Sequence, residues 1–210
     1  MIVAIDGPAG AGKSTVARRL AERLGFRYLD TGAMYRALTW LAMQRGLDLG
    51  DGVALGRLAS EHPVDLDEEG RVRIDGTDVT AAIRHTRVDR VVPAVAQHPS
   101  VRQVMRQRQR ELGEEGNAVI EGRDIGTVVA PAAEVKVYLV ADPDVRAARR
   151  QAERPEIGAD ALVTDLRKRD SEDAERMQPA LDAVRIDTTD LAVEDVVERI
   201  EELVRSRSVA

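Results

Sequence analysis

The residues from Gly7 to Ser14 have the types and the spacing needed to hold an anion. They read GPAGAGKS and match the pattern G-x-x-x-x-G-K-[ST]. Glycines in such a loop let consecutive backbone N–H groups point inward, and a following helix directs its positive end at the same place. Lys13 would then reach the outer phosphates of a nucleotide, and Ser14 would offer its hydroxyl to Mg²⁺. The pattern predicts a site for a nucleoside triphosphate, but it does not name the reaction.

Two classes of phosphate-loop protein fit this chain poorly. A regulatory GTPase would need the guanine-reading tetrapeptide N-K-x-D, which the sequence lacks, and 210 residues are few for an oligomeric ATPase motor. Arginines recur in several segments away from the loop. Because planar guanidinium groups bind phosphate oxygens through paired N–H donors, these arginines favour an enzyme with a phosphorylated acceptor.

The composition narrows the chemistry further. Acidic residues exceed Lys and Arg by 37 to 31, and the net charge of -6 speaks against a sequence-independent nucleic-acid binder. The absence of cysteine excludes disulfides, thiol nucleophiles and Cys-based zinc sites. The first residues, MIVAIDG, do not resemble a signal peptide, and no apolar run approaches the roughly 20 residues of a membrane span. We therefore expect a cytoplasmic protein.

Hydrophobic periodicity indicates strands and helices in alternation. The continuous apolar run at 2–5 predicts a buried strand, other short stretches rich in apolar residues predict further strands, and apolar residues spaced three and four apart predict helices. The predicted strands are 2–5, 26–29, 118–120, 135–140 and 184–186, and the predicted helices are 14–24, 33–45, 100–112, 142 onward, 160–176 and 193 onward. Alternation of this kind implies a parallel sheet with right-handed crossovers.

The stretch from 46 to about 92 has a different character. Apolar and charged residues alternate from 64 to 67 and again from 71 to 75, with a turn at 68–70 between them. This period of two predicts a β-hairpin, and residues 77–80 could supply a third short strand. We therefore expect a small β-containing insertion in an α/β chain.

Four segments together resemble the bacterial cytidylate kinases, a family of nucleoside monophosphate kinases. They are IDGPAGAGKST at 5–15, YLDTGAMYR at 28–36, EGRDIGTVV at 121–129 and RKRDSED at 167–173. The resemblance covers nearly the whole chain. It implies an α/β P-loop nucleoside monophosphate kinase fold, in which helices flank a central parallel sheet and a β-containing monophosphate-binding insertion and a lid are added. On this pattern the core comprises 1–30, 92–145 and 173–210, the insertion 31–91 and the lid 146–172.

The resemblance also assigns roles to the matching residues. ATP would be bound by Gly7, Pro8, Ala9, Gly10, Ala11, Gly12, Lys13, Ser14 and Thr15, with Ser14 also at the metal. The acceptor nucleotide would be bound by Thr31, Arg36, Arg102, Arg123, Asp124, Arg169 and Asp173. Among these, Arg123 would clamp the acceptor phosphate, and Asp124 would accept a hydrogen bond from the exocyclic amine of cytosine. Glu121 would lie near Mg²⁺, although an ordinary strand-end acid is as good an interpretation.

Lys13, Arg123 and arginines of the lid would neutralise the transferring phosphoryl group. The catalytic lid candidates are Arg149 and Arg150, in the segment VRAARRQAER that also contains Arg146, and the sequence does not decide among them. One departure from the family concerns Pro93, which stands where many members have a serine that contacts cytosine. Proline has neither a side-chain donor nor a backbone N–H, so Pro93 itself cannot make that base contact.

The reaction that this resemblance implies is transfer of the γ-phosphoryl group of ATP to CMP or dCMP, with Mg²⁺ as cofactor. We expect a monomer that has neither a nucleic-acid nor a membrane partner. Two alternatives stay open. One is another P-loop small-molecule kinase, with a different monophosphate or a shikimate-like acceptor, and the other is a non-enzymatic ATP-binding module.

Overall fold

The chain divides into two compact units. The first comprises Met1–Tyr28 and Gly116–Ala210, and the second comprises Leu29–Glu115. The computed structural model describes residues 1–67, 70–155, 157–174 and 177–208. Residues 68 and 69 of the predicted turn and the predicted helix end at Arg176 therefore lie outside the described residues.

Strands and helices alternate through most of the chain. In chain order the strands are β1 (Ile2–Asp6), β2 (Arg27–Asp30), β3 (Val64–Leu66), β4 (Val72–Ile74), β5 (Thr77–Asp78), β6 (Ala118–Gly122), β7 (Val135–Val140) and β8 (Val184–Asp187). The helices are α1 (Lys13–Leu24), α2 (Thr31–Gln44), α3 (Gly52–Glu61), α4 (Thr86–Ala96), α5 (Pro99–Glu114), α6 (Pro143–Glu153), α7 (Ala159–Asp173) and α8 (Val193–Ser208). A 3₁₀ turn at Ala82–Arg84 and a π-helix at Ile125–Val129 complete the set.

A parallel sheet forms the centre of the fold, with the strand order β2-β6-β1-β7-β8. β1 pairs in parallel with both β6 and β7, and β7 pairs in parallel with β8. Val3, Ala4 and Ile5 are fully buried, which explains why β1 reads as a continuous apolar run. Since parallel strands direct their carboxyl ends to one edge, the segments that follow β1, β6 and β7 meet at that edge. The predicted α/β class with a central parallel sheet is confirmed.

The core of the first unit lies where α1 and α8 pack together beside the sheet. Its buried cluster includes Leu20 of α1, Leu139 of β7 and Ile200 of α8. α1 ends at Gly25, which has a left-handed φ of 64° and whose N–H bonds the carbonyls of the last turn. The helix that follows the phosphate loop is thus anchored along one face and stopped at a defined residue.

The second unit contains the predicted β-structure and helices that the sequence pattern did not indicate. β3, β4 and β5 form a three-stranded antiparallel sheet in that order, so the predicted β-containing insertion is confirmed. α3 and α4 were not predicted. The unit extends to Glu115, beyond the predicted limit of the insertion at residue 91, and the boundaries of the insertion and the lid remain predictions.

No helix in the described ranges has both the length and the apolar character needed to cross a membrane.

Leu20→Ala should lower the free energy of unfolding by about 2–5 kcal/mol, because it leaves a cavity in a fully buried position. Leu181→Ala is the matched control, since Leu181 is 109% exposed and its truncation should change stability by less than about 0.5 kcal/mol. Urea unfolding followed by circular dichroism measures both. Equal effects of the two substitutions would contradict the assignment of the core.

Candidate active site

The phosphate loop connects β1 to α1 and leaves no room for side chains at two of its glycines. Gly7 and Gly10 have φ angles of 144° and 78°, in the region that favours glycine. A Cβ at Gly7 would lie 2.2 Å from the carbonyl oxygen of Leu139, and one at Gly10 would lie 2.9 Å from the Cβ of Arg146. Any larger residue would therefore displace backbone. The loop therefore has a backbone conformation that only glycine allows at these two positions, as is typical of a phosphate-binding loop at a helix N-terminus.

Lys13 is buried in the first turn of α1. Its Nζ donates to the carbonyl oxygen of Pro8 at 2.8 Å. Burial, reinforced by the positive charge of Arg123, lowers the pKa of Lys13 from 10.5 to about 7. Because a polyphosphate favours the charged ammonium, its binding should raise this pKa again.

Ser14 contacts a buried acid from a neighbouring strand. Its hydroxyl donates to Oε2 of Glu121 at 2.9 Å, and Glu121, in β6, is only 4% exposed. The contact ties the carboxylate to the phosphate loop. The carboxylate of Glu121 thus lies beside the loop, where a role at the nucleotide would require it, and that role remains a prediction.

These oxygen donors suit Mg²⁺. The ion prefers oxygen ligands and is commonly held by one or two protein groups together with substrate phosphates and water. The hydroxyl of Ser14 and the carboxylate of Glu121 fit that donor set. Ser14, supported by Glu121, would therefore suit a Mg²⁺ ion that binds together with ATP.

Arg123 connects the phosphate loop with α7. Its Nη1 donates to the carbonyl oxygen of Gly7 at 2.7 Å, and its Nε donates to Oδ2 of Asp173 at 3.1 Å. The charge of Arg123 is one cause of the low pKa of Lys13, so the two cations act on each other. The structure thus brings together three residues predicted for the site, namely Lys13, Arg123 and Asp173.

Asp6 fixes the segment that follows Arg123, and sequence reasoning missed it. Its two carboxylate oxygens accept hydrogen bonds from the backbone N–H groups of Ile125 and Gly126, each at 2.8 Å. Burial raises the pKa of Asp6, and the two N–H donors oppose this effect. The backbone directly after the base-reading candidate Asp124 is therefore held in place. The only signal in the sequence was an acid at the end of an apolar run.

Arg146 is the most enclosed of the arginines in α6. It is 7% exposed, and its Nη1 donates to the carbonyl oxygen of Ala9 at 3.2 Å. Its guanidinium also binds both carboxylate oxygens of Asp170, at 3.1 and 2.7 Å. Arg146 thus links the phosphate loop to α7 and contributes to the support of the loop.

Arg149 and Arg150, the catalytic lid candidates, make different contacts. Arg149 donates through Nη1 and Nη2 to the hydroxyl and the carbonyl of Thr188, at 3.0 and 2.6 Å. Thr188 is buried, and its hydroxyl also lies 3.1 Å from the carbonyl oxygen of Ala11 in the loop. Arg150 pairs with Glu153 on its own helix at 2.7 Å. Arg149 is therefore connected to the loop directly, through the carbonyl oxygen of Gly10 at 3.5 Å, and also through Thr188, a residue for which the sequence offered no signal.

The two α7 candidates, Arg169 and Asp173, lie four residues apart on one helix, as the sequence indicated. The two residues form ion pairs with different parts of the structure. Asp173 pairs with Arg123, outside the helix, at 3.1 Å, whereas Arg169 pairs with Asp165, one turn earlier in α7, also at 3.1 Å. Asp173 is the one of the two that the structure connects to the loop through Arg123.

Thr31 lies at the start of α2 in the second unit and is buried. The preceding Asp30 caps this helix, because Oδ1 accepts from the N–H of Ala33 at 2.8 Å while Oδ2 accepts from Arg84 at 2.9 Å. Burial opposes the ionisation of Asp30, but the charges of Arg36 and Arg84 outweigh it and lower the pKa. The N-terminus of α2 is thus held by an ionised cap.

Arg36 and Arg102 are the remaining candidates of the second unit. Arg36 shares α2 with Thr31, and its Nε donates to Oδ1 of the buried Asp89 at 2.9 Å. Arg102 lies on α5, where its Nη1 is 3.4 Å from the carbonyl oxygen of Ala96. Their proposed contacts with the acceptor nucleotide remain predictions.

Comparison with known proteins identifies close relatives along the whole chain. The family model described as cytidylate kinase matches residues 3–206. The cytidylate kinase of Shouchella clausii is 49% identical over 98% of this chain and 96% of its own, and that of Bacillus subtilis is 45% identical over 98% and 97%. Among solved structures, a gluconokinase from Sinorhizobium meliloti 1021 is similar with a TM-score of 0.51 at 15% identity, over 98% of this chain and 93% of its own. This last similarity concerns the fold alone.

ATP binding should take up close to one proton at about pH 8, because Lys13 is largely neutral there in the free protein and charged beside the phosphates. The affinity of the protein for ATP should accordingly fall as the pH rises above about 7, by at most about tenfold per pH unit. Calorimetry in two buffers of different ionisation enthalpy measures the uptake.

Lys136→Met is the matched control for this measurement. It removes a lysine of the same unit that pairs with Asp182 at 2.8 Å, and it should leave the proton uptake unchanged. Lys13→Met should abolish the uptake. Uptake that persists in Lys13→Met would show that another group titrates.

Proposed function

Because the chain belongs to the cytidylate kinase family, we propose that it transfers the γ-phosphoryl group of ATP to CMP and dCMP, giving CDP and dCDP. The observation that carries the proposal is the position of Arg123. Its guanidinium donates both to the carbonyl of Gly7 in the phosphate loop and to Asp173 in α7. One cation thus joins the loop that would bind the donor to a residue that would bind the acceptor.

The chemistry requires positioning and charge neutralisation more than proton transfer. The attacking oxygen belongs to a phosphate that is already anionic at neutral pH, so no general base is needed. Lys13, Arg123 and one of Arg149 and Arg150 would stabilise the charge on the transferring group. Mg²⁺, when bound with ATP at Ser14, supplies further positive charge to the phosphates.

We assign the acceptor nucleotide to the residues that the family pattern indicates. They are Thr31, Arg36, Arg102, Arg123, Asp124, Arg169 and Asp173. The arginines would bind the phosphate, and Asp173 a ribose hydroxyl. Asp124 would accept a hydrogen bond from the exocyclic amine of cytosine. Uracil has a carbonyl at that position and would leave the carboxylate without a donor, so CMP is favoured over UMP.

An acceptor panel tests the proposed reaction. We expect ADP release to be fastest with CMP and dCMP, and kcat/KM for CMP to exceed that for UMP by at least about tenfold. The panel also contains AMP, GMP and shikimate. Preferred turnover of one of these would identify another small-molecule kinase. ATP binding without turnover of any acceptor would instead identify a non-enzymatic ATP-binding module.

Asp124→Asn should reduce the preference for CMP over UMP by about tenfold or more, because an amide can turn a donor toward the uracil carbonyl. Steady-state kinetics with both nucleotides measures the ratio. Asp182→Asn is the matched control, since it makes the same change at a carboxylate that is 64% exposed and pairs with Lys136. A variant at Asp124 that keeps the full preference would show that the base is read elsewhere.

A further inference from the structure

Glu121 is held from both of its oxygens by hydroxyl groups. The phenol of Tyr28, in β2, donates to Oε1 at 2.5 Å, and the hydroxyl of Ser14 donates to Oε2 at 2.9 Å. The acid itself is buried, with 4% exposure. Each of the two carboxyl oxygens therefore accepts one hydrogen bond from a hydroxyl group. A tyrosine outside the phosphate loop is thus connected to the loop serine through one carboxylate.

The ring of Tyr28 is fixed on two sides. It packs against the buried core cluster of the first unit, which includes Val119 of β6. The guanidinium carbon of Arg18, in α1, lies 5.3 Å from the ring centroid, within the range of a cation–π contact. Core packing and the cation restrict the ring, and its hydroxyl therefore has a defined position relative to β6 and α1.

We propose that Tyr28 is a positioning residue for Mg²⁺–ATP that acts through Glu121 and Ser14. A serine hydroxyl that offers a lone pair to a cation must direct its hydrogen toward another acceptor. Oε2 of Glu121 is that acceptor. By engaging Oε1, Tyr28 fixes the rotation of the carboxylate and keeps Oε2 directed at Ser14. The inference rests on the proposed use of ATP, but it does not depend on the identity of the acceptor.

Calorimetric titration of ATP tests the inference, with excess Mg²⁺ in one series and EDTA in the other. In Tyr28→Phe we expect the affinity for Mg²⁺–ATP to fall about five- to tenfold, the typical worth of one net hydrogen bond. The affinity for metal-free ATP should stay within about twofold of the wild type, since the phosphate cradle is unaltered. Tyr138→Phe is the matched control. It also removes one phenolic hydroxyl, which donates to the carbonyl of Met177 at 2.8 Å, and it should change neither affinity.

A double-mutant cycle with Ser14→Ala tests whether the loss of Mg²⁺–ATP affinity in Tyr28→Phe depends on Ser14. If Tyr28 acts through the serine, Tyr28→Phe causes no further loss of Mg²⁺–ATP affinity in the Ser14→Ala background. Glu121→Gln, which removes the charge while keeping the size of the side chain, should lower the affinity for Mg²⁺–ATP at least as much as Tyr28→Phe does. Thermal unfolding of each variant checks that the fold persists, and Glu121→Gln carries the test if Tyr28→Phe does not fold.

Three results would overturn the inference. They are an unchanged Mg²⁺–ATP affinity in Tyr28→Phe, equal losses with and without Mg²⁺, and additive losses in the cycle. A wild-type protein that binds no ATP would contradict the proposed function instead, and the two failures are therefore distinguishable.

Discussion

The carboxylate of Asp6 holds together the polar centre of the first unit. Asp6 is the last residue of β1, and the phosphate loop begins directly after it. Its oxygens bind the N–H groups of Ile125 and Gly126, which lie 119 and 120 residues further along the chain. One strand end therefore positions both the loop and the segment that carries Arg123. Because β1 lies between β6 and β7, a shift of this strand end would disturb buried pairs on both sides.

Beside this contact the fold keeps two cations, Lys13 and Arg123, that repel each other. Burial adds to the cost of the lysine charge, whereas Glu121, Asp6 and Asp173 favour it. The balance lowers the pKa of Lys13 to about 7. A polyphosphate would offset both costs at once, since it would pair with the two cations and return the lysine to its charged form. The residues that make this cluster costly for the protein alone would therefore favour a ligand with several negative charges.

Local sequence patterns predict most of the strands and helices, whereas the candidate active site also depends on contacts between residues that are far apart in the sequence. The stretch Val135–Val140 predicts β7 at both ends, because a buried parallel strand is mostly apolar, and only Lys136 interrupts the apolar residues here. α3 was not predicted, because the glycines on either side of Asp51 are typical of a turn. In the structure Asp51 is the N-cap of this helix, and its side chain accepts hydrogen bonds from the backbone N–H groups of two residues. The loop glycines and Lys13 are readable from spacing alone. Thr188 contacts the loop from 177 residues away, and no local pattern contains such a contact.

The arginines of α6 differ in the hydrogen-bond partners that a phosphate would have to replace in order to bind their guanidinium groups. The guanidinium of Arg146 is buried and binds a carboxylate of α7 through two hydrogen bonds, so its redirection would leave a buried charge unpaired. Arg149 is held by the neutral oxygens of Thr188, which bind a guanidinium less strongly than a carboxylate does. The carboxylate that pairs with Arg150 belongs to Glu153, one turn further along the helix, and is 56% exposed. Pairs of this spacing contribute about 0.2–0.5 kcal/mol, so this one pair would resist a phosphate less than the buried two-bond pair of Arg146 with Asp170 would.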